Sequence, residues 1–174
     1  MAYNSEDAPK IPDAWLNDSS SYQRCFVCGQ QNIAGLQLVF TSDGNKILAD
    51  FTLDERFQGF PGVAHGGILA AILDETLGRV TVPERRWVMT AKLDLRYRRP
   101  APIHVPLRVY AEAVDARERL VRAKGYILAL GAEKTVFCEA EGLFMPLPET
   151  VRKQAVTQWP GLEDFFPAQL EETE

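Results

Sequence analysis

Residues 66–80 carry apolar side chains in nearly every direction around a helical axis: Ile68, Leu69, Ala70, Ala71, Ile72, Leu73, Leu77 and Val80. A helix that is apolar nearly all round has no face to give to water and must be enclosed. The chain has 174 residues, enough for one compact domain with a real core, and the rest of it reads mostly as strand. Leu36, Leu38 and Phe40 alternate with Gln37, Val39 and Thr41, and Ile47, Ala49, Phe51 and Leu53 repeat the alternation after Ser42-Asp43-Gly44-Asn45. Period two on either side of such turn chemistry predicts a hairpin. Beyond the helix, residues 88–98, 106–115, 120–130 and 134–145 read as four strands, parted by Ala116-Arg117-Glu118 and Gly131-Ala132-Glu133. Pro146 and Pro148 stop the last one. In the first of the four, Met89, Ala91, Leu93, Leu95 and Tyr97 fall on one face, with Thr90, Lys92, Asp94, Arg96 and Arg98 on the other.

The order is strand, strand, helix, then four strands. One buried helix needs a sheet curved around it to hide that much apolar surface. The expected class is therefore α+β, an antiparallel sheet wrapped around one central helix, which is the hotdog arrangement. Residues 22–148 form this domain. Residues 1–21 are a polar arm with prolines at 9 and 12 and a lone Trp15, and residues 149–174 form a tail that is helical in part.

Composition narrows the function by exclusion. Hydrophobic residues make up 46% and charged residues 25%, an ordinary soluble balance. A formal net charge of −5 gives no global basic field for nucleic acid or an anionic membrane. No apolar stretch approaches the roughly 18–20 residues that span a bilayer. Residues 1–10 are polar and acidic, so no signal peptide is expected. Three cysteines do not suggest a disulfide framework, and a reducing cytoplasm is the expected location.

The chemistry gathers at the start of the helix. Phe57-Gln58-Gly59-Phe60-Pro61-Gly62 is a loop rich in breakers, and His65-Gly66-Gly67 sits where it becomes helix. The first helical turn leaves amide N–H groups unpaired and carries partial positive charge. Glycine at positions 66 and 67 lets a ligand approach the backbone closely. Such a terminus suits the oxyanion that develops when a thioester carbonyl is attacked, and the same residues also suit a plain tight turn into the helix. Asp74 follows Gly67 by seven residues. The two project within about 20° of one face, which Ala71 and Gly78 continue. A carboxylate in an apolar helix is expensive unless paired or functional; reaching solvent or capping a loop is its other reading. Glu75, rotated about 100° away, is read as exposed. Seven residues also separate the two groups by about 10 Å along the axis, too far for one thioester centre to touch both. Two antiparallel copies of the helix would bring one Gly67 end beside the other Asp74, so the spacing favours a site shared across a two-fold dimer.

The block from Phe57 through His65-Gly66-Gly67 to Asp74-Glu75 resembles the signature of PaaI-like hotdog thioesterases. Cys25-Phe26-Val27-Cys28-Gly29, with Asn32 and Gly35-Leu36, is similar to the lead-in of one subgroup. Val88-Met89-Thr90-Ala91-Lys92-Leu93, with Tyr97 and Arg99-Pro100, resembles the strand after the helix, so the likeness covers roughly residues 22–146. It implies acyl-CoA hydrolysis in a dimer or dimer of dimers, with no cofactor beyond the coenzyme A of the substrate. It makes Asp74 the catalytic carboxylate and the Gly67 amide the carbonyl-binding donor. His65 would orient the loop and thioester, and Thr90 would hold the attacking water. Some members carry Asn where this chain has Gly59; the adjacent Gln58 is the candidate for that second carbonyl contact. Phe57, Phe60 and Leu77 are candidates to line the acyl pocket. From the residues alone, Thr90 is equally a plain β-branched strand residue, and Asp74 as general base or as nucleophile stays open.

Arg96, Arg98 and Arg99, with Lys92, make a basic strand end suited to coenzyme A phosphates, or equally a solvated face of alternating charge. His104, in a loop flanked by prolines, is expected to be exposed. Cys25 and Cys28 have C-x-x-C spacing, but a structural zinc wants four ligands and only Cys138 and two scattered histidines remain. They are read as packing residues, and no metal is expected. Two other functions compete. A hotdog dehydratase or hydratase would place its His before Phe60-Pro61-Gly62 and a Glu about fourteen residues after that His; position 79, fourteen after His65, is Arg. A non-catalytic acyl-CoA-binding hotdog domain would keep the pocket without turnover.

Overall fold

A computed structural model describes residues 16–17, 24–84, 86–117 and 120–158. Six strands form one antiparallel sheet in the order β1-β2-β6-β7-β8-β5. They are β1 (Thr41–Asp43), β2 (Lys46–Phe51), β5 (Val88–Tyr97), β6 (Leu107–Arg117), β7 (Leu120–Ala129) and β8 (Ala132–Pro146). β3 (Gln58–Phe60) and β4 (Val63–Ala64) make a separate small hairpin. It leads directly into α1 (Gly66–Gly78), which tightens into a 3-10 stretch at Arg79–Glu84. A second helix, α2 (Glu149–Gln158), follows β8 and buries no residue. Among the described residues, no helix is long and apolar enough to cross a membrane.

The sheet wraps α1 as the helix's apolar distribution requires. Leu69, Ile72, Leu73, Thr76 and Leu77 are its buried residues, and α1 packs on β2, β5, β6, β7 and β8. Leu77 rests over Gly125 of β7 and Gly142 of β8. The facing sheet residues include Ile47, Val109, Ile127 and Cys138, all without exposure. Each such aliphatic side chain contributes about 1.5–3 kcal/mol by leaving water. Thr76, buried inside this layer, donates its hydroxyl to the Ile72 carbonyl at 2.6 Å and so carries no unsatisfied group into the core.

Two predicted strands differ in detail. Residues 36–40 keep the predicted alternation, with Leu38 and Phe40 buried, but they are not ladder-paired strand. Their amides bond to the cysteine-bearing turn instead, Leu36 N–H to the Phe26 carbonyl and Leu38 N–H to the Val27 carbonyl. Only Thr41–Asp43 joins the sheet, closing onto β2 with Asp43 opposite Lys46. In β5 the ladder slips between Thr90 and Lys92. This β-bulge places two residues, Ala91 and Lys92, in succession on the exposed side, so Thr90 and Leu93 both turn inward although they lie three apart. The strict alternation expected for 88–98 is thereby broken.

Leu16, in the stretch expected to be an arm, is fully buried. Asn17 brackets the Phe40 backbone, its Oδ1 accepting from the Phe40 N–H at 2.7 Å and its amide donating to the Phe40 carbonyl. The remainder of that arm, Trp15 included, and the tail from residue 159 lie outside the described residues.

Candidate active site

A 3-10 turn at Glu55–Phe57, capped by the Asp54 carboxylate, delivers the chain into the β3–β4 hairpin. The hairpin is tied down by the Ala64 N–H to the Ala101 carbonyl at 2.9 Å and the His65 N–H to the Phe57 carbonyl at 2.8 Å. His65 is thus placed as the cap of α1, in extended backbone conformation, and its Nδ1 accepts the Gly67 N–H at 3.0 Å. Accepting at Nδ1 leaves the proton of a neutral ring on Nε2. Glycines flank the ring on both sides. A Cβ on Gly67 would lie 3.1 Å from Nδ1, and one on Gly59 would lie 3.2 Å from both Cα and Cδ2 of His65. The Gly59 departure therefore has a physical reason here: an Asn at 59 would press on the histidine. Tyr97 of β5 donates its hydroxyl to the Gly66 carbonyl at 2.9 Å. Gln58 Oε1 accepts the Gly62 N–H at 3.3 Å, so it closes the loop. Phe60 is 78% exposed.

One and a half turns beyond Leu69, Asp74 opens onto a cleft of about 220 Å³ that is also lined by Glu75, Gly78, Arg79, Thr90 and Phe144. The Thr90 hydroxyl donates to Asp74 Oδ1 at 2.8 Å. That contact exists because the bulge in β5 turns Thr90 toward α1. Burial raises the Asp74 carboxyl above its ordinary value, the Thr90 hydrogen bond acts against the rise, and the Glu75 charge adds to it. Two sub-sites result: the His65–Gly67 helix start, and the Asp74–Thr90 pair. The helix between them is continuous, so about 10 Å of rise separates them within one chain.

The neighbouring candidates fall differently. Glu75 is half-buried, contrary to the exposed reading: one carboxylate oxygen pairs with Arg79 at 2.9 Å, and the other lies 3.6 Å from Cys25 Sγ. Arg79 itself is buried, donates to the Leu16 carbonyl and stacks on the Phe40 ring at 4.3 Å. Phe57 and Leu77 are buried in the core. Arg98 pairs with Glu139, Arg96 lies 3.8 Å from the same carboxylate, and Lys92 pairs with Asp94 at 2.7 Å. Arg99 adjoins this group in sequence and is exposed. His104 is exposed as expected and faces Glu55 at 3.4 Å.

No protein-family model matches the chain. The acyl-coenzyme A thioesterase THEM4 of Bos taurus is 30% identical over 135 residues, covering 73% of this chain and 53% of that protein. The chain thus spans about half the length of that curated relative. A crystal structure of a thioesterase superfamily protein superposes with a TM-score of 0.67 at 29% identity, covering 80% of this chain and 70% of the other. A hypothetical thioesterase protein of Streptococcus pneumoniae, crystallised with coenzyme A, gives a TM-score of 0.55 at 17% identity over 59% of this chain and 78% of its own, a likeness of fold alone. With an antiparallel sheet closed around one buried helix and these relatives beside it, the chain belongs to the hotdog-fold thioesterase family.

Proposed function

We propose that this chain hydrolyses an acyl-CoA, water adding to the thioester carbonyl and the carbon–sulfur bond breaking to give the free acid and the coenzyme A thiol. The observation that carries this reading is the desolvated Asp74 carboxylate in an open cleft, gripped by Thr90 at 2.8 Å. A carboxylate raised toward the working pH is suited to take a proton from water, or to attack the carbonyl itself. Thr90 orients it and lies within reach of a water bound beside it.

The carbonyl would be held at the start of α1 in a second copy of the chain, beside Asp74 of the first. Two features support this: about 10 Å divides the sub-sites along one helix, and β5, ten residues long, forms an edge of the sheet in the single chain. Because the Gly67 N–H is already given to His65 Nδ1, and the Ile68 and Leu69 N–H groups to the His65 carbonyl, the donor aimed at the carbonyl is the His65 Nε2–H, with the Gly67 N–H joining when the ring rotates. Gly66 allows the close approach. Arg96 and Arg98 would take the coenzyme A phosphates by exchanging Glu139 for them, with the exposed Arg99 beside them. A homodimer or dimer of dimers, in a reducing cytoplasm consistent with three thiols in 174 residues, completes the proposal.

The test is release of free thiol from short, medium, long and aromatic acyl-CoAs, wild type against Asp74→Ala. Turnover of at least one ester and a loss of about 100-fold or more in the variant is the expected result. Stable binding of the esters with no thiol released would replace hydrolysis with an acyl-CoA-binding role.

A further inference from the structure

The cysteine turn ahead of the sheet meets the helix at a point the hydrolytic reading does not use. Cys25 Sγ, Cys28 Sγ and a Glu75 carboxylate oxygen all lie within 4.8 Å of one another, Cys28 buried and the other two half-buried. The third donor is neither a further cysteine nor a histidine but a carboxylate that only the fold delivers.

We propose that Cys25, Cys28 and Glu75 form a zinc site that staples the 24–38 segment to α1, with water in the fourth position. Tetrahedral zinc with Zn–S near 2.3 Å and Zn–O near 2.0 Å sets S···S at about 3.8 Å and S···O at about 3.5 Å. The Cys25 Sγ to Glu75 oxygen separation is 3.6 Å. The turn is already built for a thiolate. The Val27 N–H points at Cys25 Sγ at 3.4 Å, and the Cys28 amide adds a second backbone hydrogen bond to it. The turn is also held in place, by the Gly29 N–H to the Cys25 carbonyl at 3.0 Å and by the two bonds from Leu36 and Leu38. Charge closes as well: two thiolates and one carboxylate are balanced by a dication and the buried Arg79, which takes the other Glu75 oxygen at 2.9 Å. Thiolate donors select zinc over magnesium or calcium.

The site is independent of the hydrolase reading, and its test reads metal, not turnover. The full chain, produced without a histidine tag and purified without chelator, is assayed for zinc after desalting. The apo chain is then titrated with Co(II), watching for the thiolate-to-cobalt charge-transfer band. About one zinc per chain, that cobalt band, and a loss of affinity of at least about tenfold in Glu75→Gln support the site. Cys25→Ser, checked by circular dichroism for folding, should abolish the band. A folded wild-type chain that takes up neither ion overturns the proposal. So does zinc retained equally by Cys25→Ser and Glu75→Gln, or a chain isolated with a Cys25–Cys28 disulfide that binds no metal after reduction.

Discussion

Asp74 and Thr90 show how one residue's environment sets both activity and stability. The carboxyl is raised in the folded state, so the native protein holds this proton to higher pH than the unfolded chain does. Stability from this group is therefore highest below the unfolded value of about 3.9 and is lost as pH rises through the folded value. Asp74→Asn, close in shape and uncharged, should raise the melting temperature at pH 7 and abolish turnover; thermal melts across pH should find the gain shrinking toward zero in acid. A variant less stable than wild type at pH 7 would mean that the Thr90 bond outweighs burial. Thr90→Ala removes the interaction that holds the carboxyl down, so the acid limb of the kcat/KM profile should move to higher pH, while Thr90→Ser should leave it in place. The Asp74 candidacy was legible in sequence, since a carboxylate in an apolar helix stands out. Its pairing with Thr90 was not, because alternation along β5 puts Thr90 on the wrong face unless a bulge intervenes.

At the scale of elements, the helix is the part the sequence describes best. An all-round apolar pattern has one solution, and α1 runs from Gly66 to Gly78 with the sheet around it. Leu77, fully buried over β7 and β8, should cost about 2–5 kcal/mol when cut to Ala, read from denaturant midpoints at unchanged slope. A cost below 1 kcal/mol would place Leu77 in a pocket that collapses freely. The strands after the helix were legible to within a few residues for the same reason of period. The stretch at 36–40 was not: alternation reports which side chains are buried, and the neighbouring backbone decides whether the amides join a ladder or a turn. Here the cysteine turn wins them.

For the whole molecule, the separated sub-sites carry the strongest prediction. If one site is built from the His65 end of one chain and the Asp74 of another, co-expressed His65→Ala and Asp74→Ala chains should regain activity that neither has alone. Random mixing makes half the dimers mixed, each with one intact site of two, so recovery should reach about a quarter of wild type. Recovery no greater than the sum of the two variants measured separately would sink the shared site.

The enclosed helix, the succession of elements along the chain and the placing of His65, Gly67 and Asp74 on that helix were set by the sequence itself, because hydrophobic period and helix geometry act over short stretches of chain. Tertiary structure alone decided the partners. The β5 bulge turned Thr90 to Asp74, the close seating of His65 explained Gly59, and the packing of the cysteine turn on α1 brought Glu75 to two sulfurs fifty residues away. Each of these depends on backbone meeting backbone across long separations, where a local pattern carries no information about what lies opposite.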